Sequence, residues 1–282
     1  VRYEYRQAPE GINNPPANHL GEALALAGGL AAIIVGVFLL LGWLANRLVD
    51  RISPETERRL AEMIRTPVGS GAERGGDAEL QKVLADLTPR LPPLAYPLRI
   101  KVECSDQVNA MALPGGTIVL YAGLLSRIRS ENELAMVIGH EAGHFAARDH
   151  LKVLGRSLVA LAAWAFVFRG QDQVPSFLRN VVGITSNGFS RAQEEEADNV
   201  GARLVNAHYG HAGGIVDFFR TLEEEKSQSR AGAWFSTHPA HLTRIDTMET
   251  LIAREGWRIM DAVPLDGAEL AERICETGGC SR

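Results

Sequence analysis

From Ala23 to Ala45 the chain reads ALALAGGLAAIIVGVFLLLGWLA, without a single charged position. A run with no polar face suits lipid. As a helix it would be about 35 Å long, enough to cross a hydrocarbon core of about 30 Å with some tilt. A cleaved signal peptide fits poorly, because a polar tail (1–22) precedes the run and Trp43 marks an interface. Residues 23–45 are therefore expected to form a membrane anchor. Beyond it the pattern turns amphipathic. SPETERRLAEMI (53–64) predicts a helix with Pro54 in its first turn, VGSGAERGG (68–76) a loop, and residues 78–88 another helix. Together they make a helical linker region over 46–97. LRIKVEC (98–104), VNAMAL and TIVLYAGLL then predict strands, the last two joined as a β-hairpin at Pro114-Gly115-Gly116.

Helical spacing takes over after residue 126. Ser130 and Glu133 make an S-x-x-E capping box, which starts a helix at residue 131. Leu134, Val137, Ile138 and Glu141 recur at helical spacing, and FAARDH (145–150) reads as the same helix continuing. SLVALAAWAFVF (157–168) is too short to span a bilayer and is expected as a buried helix, with shallow membrane contact as the alternative. The pattern stays helical to about residue 260. The fold class is mainly α with a small antiparallel β-sheet (α+β), behind one N-terminal transmembrane helix, and residues 263–282 form a C-terminal tail.

Composition narrows the picture. The 282 residues allow one sizeable core, and a net charge of −5 gives no reason to expect nucleic-acid binding. Cys104, Cys275 and Cys280 form no metal-type cluster; Cys275 and Cys280, in CETGGC, either pair in an oxidising compartment or stay as free thiols. Arg2 and Arg6 precede the anchor, whereas Arg47, Arg51, Arg58, Arg59 and Arg65 follow it. The positive-inside rule thus puts the large C-terminal portion on the cytoplasmic side.

The candidate chemistry lies in HEAGHFAARDH, 140–150. His140 and His144, four apart on a helix, can turn nitrogens toward one ion, and Glu141 can reach a water on that ion. Burying two unpaired histidines on a helix with an apolar lead-in would be costly. A catalytic zinc takes a third protein ligand. His150 has the metzincin spacing, but Ala147 stands where that pattern has a helix-breaking glycine, and on a continuing helix His150 faces away. In SRAQEEEADNVGARL (190–204) the apolar stripe is Ala197, Val200, Gly201 and Leu204. Glu194 lies about 45° from its centre, Glu195 and Glu196 beyond about 110°. Glu194 is therefore the expected ligand, and Asp198 the expected hydrogen-bond acceptor for a ligand histidine.

HEAGH followed about fifty residues later by SRAQEEEAD resembles the HtpX and CaaX prenyl protease-like zinc metallopeptidases. VNAMALPGGTIVLYAGLL and STHPAHLTRI are similar to that family's strand-and-turn and His-Pro motifs, so the resemblance covers roughly residues 98–250. It implies a gluzincin-like metallopeptidase domain, taken over 98–262, with one Zn2+ per chain and peptide-bond hydrolysis in which Glu141 is the base. It also implies His238 as the group facing the oxyanion, with His241 as rival, and Asn109, Ala110, Met111 and Ala112 as the edge that pairs with substrate. Arg244 is either an ion-pair partner of Asp198 or exposed. The family carries several membrane spans where this chain has one, so its topology does not transfer. The one apolar run implies a lipid bilayer and a single-pass place, taken as a bacterial inner membrane, and the expected partners are polypeptides, misfolded membrane proteins among them. A catalytically inactive or chaperone-like adaptor on the same fold is the competing expectation.

Overall fold

The computed structural model describes residues 19–63, 78–156, 188–225 and 243–277, together with residues 2, 4, 159, 234, 237 and 238. Helix α1 (His19–Val49) leaves its leucines, isoleucines and valines exposed along its length, and among the described residues it alone is long and apolar enough to cross a membrane. Its far end is different. Val49 is buried against Leu151 and Leu154, with Ile52 packed alongside. Helix α2 (Pro54–Met63) follows, its first turn held by Ser53, whose hydroxyl accepts from the Thr56 amide at 3.1 Å. Helix α3 (Ala78–Leu87) buries the stripe Leu80, Leu84 and Leu87 in the main core. The core thus draws on residues within the 46–97 stretch.

Strands β1 (Arg99–Glu103), β2 (Ala110–Leu113) and β3 (Thr117–Tyr121) form one sheet in the order β1-β3-β2. The β2–β3 hairpin is present, with Leu113 opposite Thr117. Its turn needs glycine, since Gly115 and Gly116 have φ of 82° and 85°. The expectation of an antiparallel sheet is corrected in one respect: β1 runs parallel to β3, so the sheet is mixed. The reason is the path between β1 and β2. It crosses the end of β3, where a Cβ on Gly123 would sit 2.2 Å from the Asp106 carbonyl oxygen. Alternation of side chains reports faces, and this crossing leaves no mark on it.

A short helix α4 (Ala122–Leu125) leads to α5 (Glu131–Ala146), which begins where the capping box places it. Ser130 accepts from the Glu133 amide at 3.2 Å, while the Glu133 carboxylate accepts from the Arg129 amide at 2.8 Å. The continuous helix expected through His150 is corrected: α5 stops at Ala146, Arg148 takes φ 56°, and helix resumes over 149–156. A left-handed arginine is uncommon. Here it lets the guanidinium donate to the Ile52 carbonyl at 2.8 Å and to Glu57 at 3.2 Å, tying this corner to α2.

Helix α6 (Arg191–Tyr209) has a full capping box between Ser190 and Gln193 and ends at Gly210, φ 75°. It packs on α5 with almost nothing between the backbones. A Cβ on Gly139 would lie 2.8 Å from the Gly201 Cα, and one on Gly143 2.8 Å from the Ala197 Cα. Helices α7 (Asp217–Glu225), α8 (Thr243–Glu255) and α9 (Gly267–Thr277) complete the described elements. Within the expected tail, α9 buries Leu270 and Ala271 in the core. Cys275 is disulfide-bonded to Cys104, which corrects both the pairing with Cys280 and the free thiol. Cys280 and all of 157–168 except residue 159 lie outside the described residues.

Candidate metal centre

Close approach of α5 and α6 sets the centre. His140 and His144 point inward one turn apart on α5, with their Nε2 atoms 3.2 Å from each other. Glu194, in the first turn of α6, brings Oε2 to 3.6 Å from His140 Nε2 and Oε1 to 3.6 Å from His144 Nε2. Glu195 and Glu196 are exposed. His238 comes closer than expected: its Nδ1 is 3.1 Å from His140 Nε2 and 3.2 Å from Glu194 Oε1. One donor atom from each of His140, His144, Glu194 and His238 lies within 4.8 Å of the others, and all four residues are buried. Imidazole nitrogens and a carboxylate are the donor set of a zinc site.

The outer nitrogens are each held by a carboxylate. His140 Nδ1 donates to Asp198 at 2.9 Å and His144 Nδ1 to Asp149 at 3.1 Å, which turns both Nε2 atoms toward the centre. Arg244 is buried and grips Asp198 through Nε and Nη2 at 2.8 and 2.7 Å, while Nη1 is 2.8 Å from Glu194. Of the two expectations for Arg244, the ion pair is the one observed. Burial alone would raise the Asp198 carboxyl, but Arg244 and His140 outweigh it and hold it below its ordinary value. Burial likewise disfavours a charged His144, yet Asp149 and Glu194 push it up to about 9. His140 goes the other way: its burial outweighs Asp198 and Glu194 and lowers it.

Glu141 stands apart. It is fully buried, and neither carboxylate oxygen has a hydrogen-bond partner among the described residues. A buried carboxyl group in that state calls for a hydrogen-bond partner. His238 Nε2 lies 3.5 Å from Glu141 Oε1. His150 is absent from the cluster and binds Glu57 instead, at 2.7 Å. Strand β2 is an outer strand of the sheet, and a small cavity lined by Ala110, Met111 and Ala112 also touches His238. Asn109 accepts from Thr237 at 3.1 Å. His241 lies outside the described residues.

Sequence reasoning missed three neighbours: Asp149; Phe189, stacked on His144 with centroids 3.7 Å apart; and Trp234, stacked on His238 at 4.3 Å. Asp149 was within reach of pattern reading, since it closely follows the second histidine. The two aromatics carried no local signal.

Two histidines a turn apart, a carboxylate from a second helix and an uncommitted glutamate beside them make a centre of the metallopeptidase class. The model of Peptidase family M48 matches residues 76–252, and the chain belongs to that family. It is 28% identical over 162 residues to Metalloprotease YcaL of Escherichia coli strain K12, covering 56% of this chain and 63% of the relative. Metalloprotease LoiP of the same organism is 29% identical over 170 residues, with 57% and 65% covered. Metalloendopeptidase OMA1 of Danio rerio is 28% identical over 174 residues, with 56% and 36% covered. The chain thus spans less than two thirds of the length of these curated relatives.

Proposed function

We propose that the chain is a membrane-anchored zinc endopeptidase in which His140, His144 and Glu194 hold one Zn2+ and Glu141 is the general base. The observation that carries this reading is the buried Glu141 carboxylate, without a hydrogen-bond partner among the described residues, beside converging imidazole nitrogens. Zinc, when bound, acidifies a water and polarises the scissile carbonyl. Glu141 accepts the proton of the attacking water at a carboxylate oxygen and delivers it to the amide nitrogen as the C–N bond breaks. His238 Nε2, on the Glu141 side, donates to the carbonyl oxygen as that oxygen gains charge. Asp198 and Asp149 keep the ligand rings oriented. The peptide lies extended along Asn109 to Ala112 by strand addition, which presents its carbonyl to the centre.

The substrates are polypeptides cut near a membrane, misfolded membrane proteins in quality control among them. Supporting this, Val49 at the end of α1 and Ile52 just beyond it pack on the helical turns that follow the two histidines. Orientation has two opposed indications. The arginines after the anchor favour a cytoplasmic domain, whereas a Cys104–Cys275 disulfide favours an oxidising compartment. A single anchor is easily overruled, so the domain is assigned to the outer face of a bacterial inner membrane.

Casein cleavage by the full chain in detergent tests the reading. Glu141→Gln should lower the rate by about 10²- to 10⁴-fold. Equal cleavage by both proteins would leave the adaptor reading in its place.

A further inference from the structure

Between β2 and helical residues 149–156 lies a cavity of about 20 Å³, bordered by Met111, Val153, Phe189 and His238. It adjoins the metal centre, because Phe189 stacks on His144 and His238 belongs to the cluster. His150 also lines it. His150 is buried, with Nε2 2.7 Å from Glu57 Oε1. A carboxylate can only accept, so Nε2 carries the proton. Arg148 faces the other Glu57 oxygen at 3.2 Å, so the ring is not the only donor on this carboxylate. With that proton on Nε2, the neutral ring has Nδ1 as its acceptor. It is buried and has no hydrogen-bond partner among the described residues. A buried ring nitrogen without a partner, on a residue that lines a largely apolar cavity, calls for an explanation.

We propose that this cavity is a side-chain subsite beside the scissile bond, in which His150 Nδ1 accepts a hydrogen bond from a Ser or Thr hydroxyl of the peptide. The inference rests on the peptidase reading, which takes β2 as the strand that aligns the substrate. A peptide added to a strand edge turns alternate side chains to one face, so one residue near the cut is presented to the cavity. The space admits only a small group. Glu57 is a positioning residue here. It comes from α2, before the family match begins at residue 76, and its carboxylate fixes both the ring orientation and the tautomer.

Matched peptides from a casein cleavage site, with Thr or its isostere Val at each position flanking the cut, test this with the full chain in detergent. At one position Thr should be preferred over Val by about 5- to 10-fold in kcat/KM. His150→Gln keeps an amide donor for Glu57 but removes the Nδ1 acceptor, and should bring that ratio to about one. His150→Asn keeps an acceptor near the Nδ1 position and should retain a preference for Thr. No Thr preference at any position, an undiminished preference in His150→Gln, or its loss in His150→Asn would overturn the subsite. A wild type that cuts no peptide overturns the peptidase reading and the subsite together, whereas cutting without Thr/Val discrimination overturns the subsite alone.

Discussion

Asp198 accepts from His140 and, on its other side, from Arg244, which also neutralises Glu194. One buried arginine thus lets two carboxylates sit together beside a cation site without repelling each other. Asp198→Asn should weaken zinc binding by about 10- to 100-fold, read by competition with a chelator. Glu195→Ala and Glu196→Ala, on the exposed face, should leave it unchanged. Much of this was legible: helical phase alone separates Glu194 from its two neighbours. The position of His238 was not, because its approach to His140 depends on how chain far along the sequence is laid over α5. Its motif implied a role, and only the fold brought it into the group that could hold a metal ion.

At the scale of elements, the glycines of α5 decide whether the candidate ligands meet. Gly139→Ala would push a methyl group into the Gly201 backbone, 2.8 Å away. Overpacking of this kind costs about 1–3 kcal/mol. Because the neighbour is backbone, the helices must part, so both the melting temperature and the zinc content should fall. Helix starts were readable from the sequence, as Ser130 shows, because a cap is a local arrangement. The helix break at Arg148 was not. No glycine or proline announces it, and the acceptors that Arg148 reaches there, Glu57 and the Ile52 carbonyl, lie 91 and 96 positions away. The parallel placement of β1 was hidden for the same reason, since strand direction is set by where the connection crosses.

Across the whole molecule, buried Glu57 fastens the anchor-proximal helix to the site-bearing domain, accepting from His150, Arg148 and the Gly115 amide. Burial raises its pKa, but the His150 and Tyr96 hydrogen bonds outweigh this and bring it from 4.5 down to about 2. A depressed carboxylate stabilises the fold fully above its ordinary value and loses that contribution as pH falls through the folded one. Wild type should therefore exceed Glu57→Gln by about 3 kcal/mol at pH 7 in urea melts, with the gap closing between pH 4.5 and about 2. The Cys104–Cys275 bond, spanning 171 positions, left no pattern to read, and it bears on which side of the membrane the domain faces. In sealed inverted vesicles without reductant, the domain should be protected from added protease. The central claim is the ligand set, and zinc content per chain after dialysis, in wild type, Glu194→Ala and His150→Ala, tests it most directly. One equivalent in wild type and His150→Ala with a near-empty Glu194→Ala is the predicted result; a full site in Glu194→Ala and an empty one in His150→Ala would contradict it.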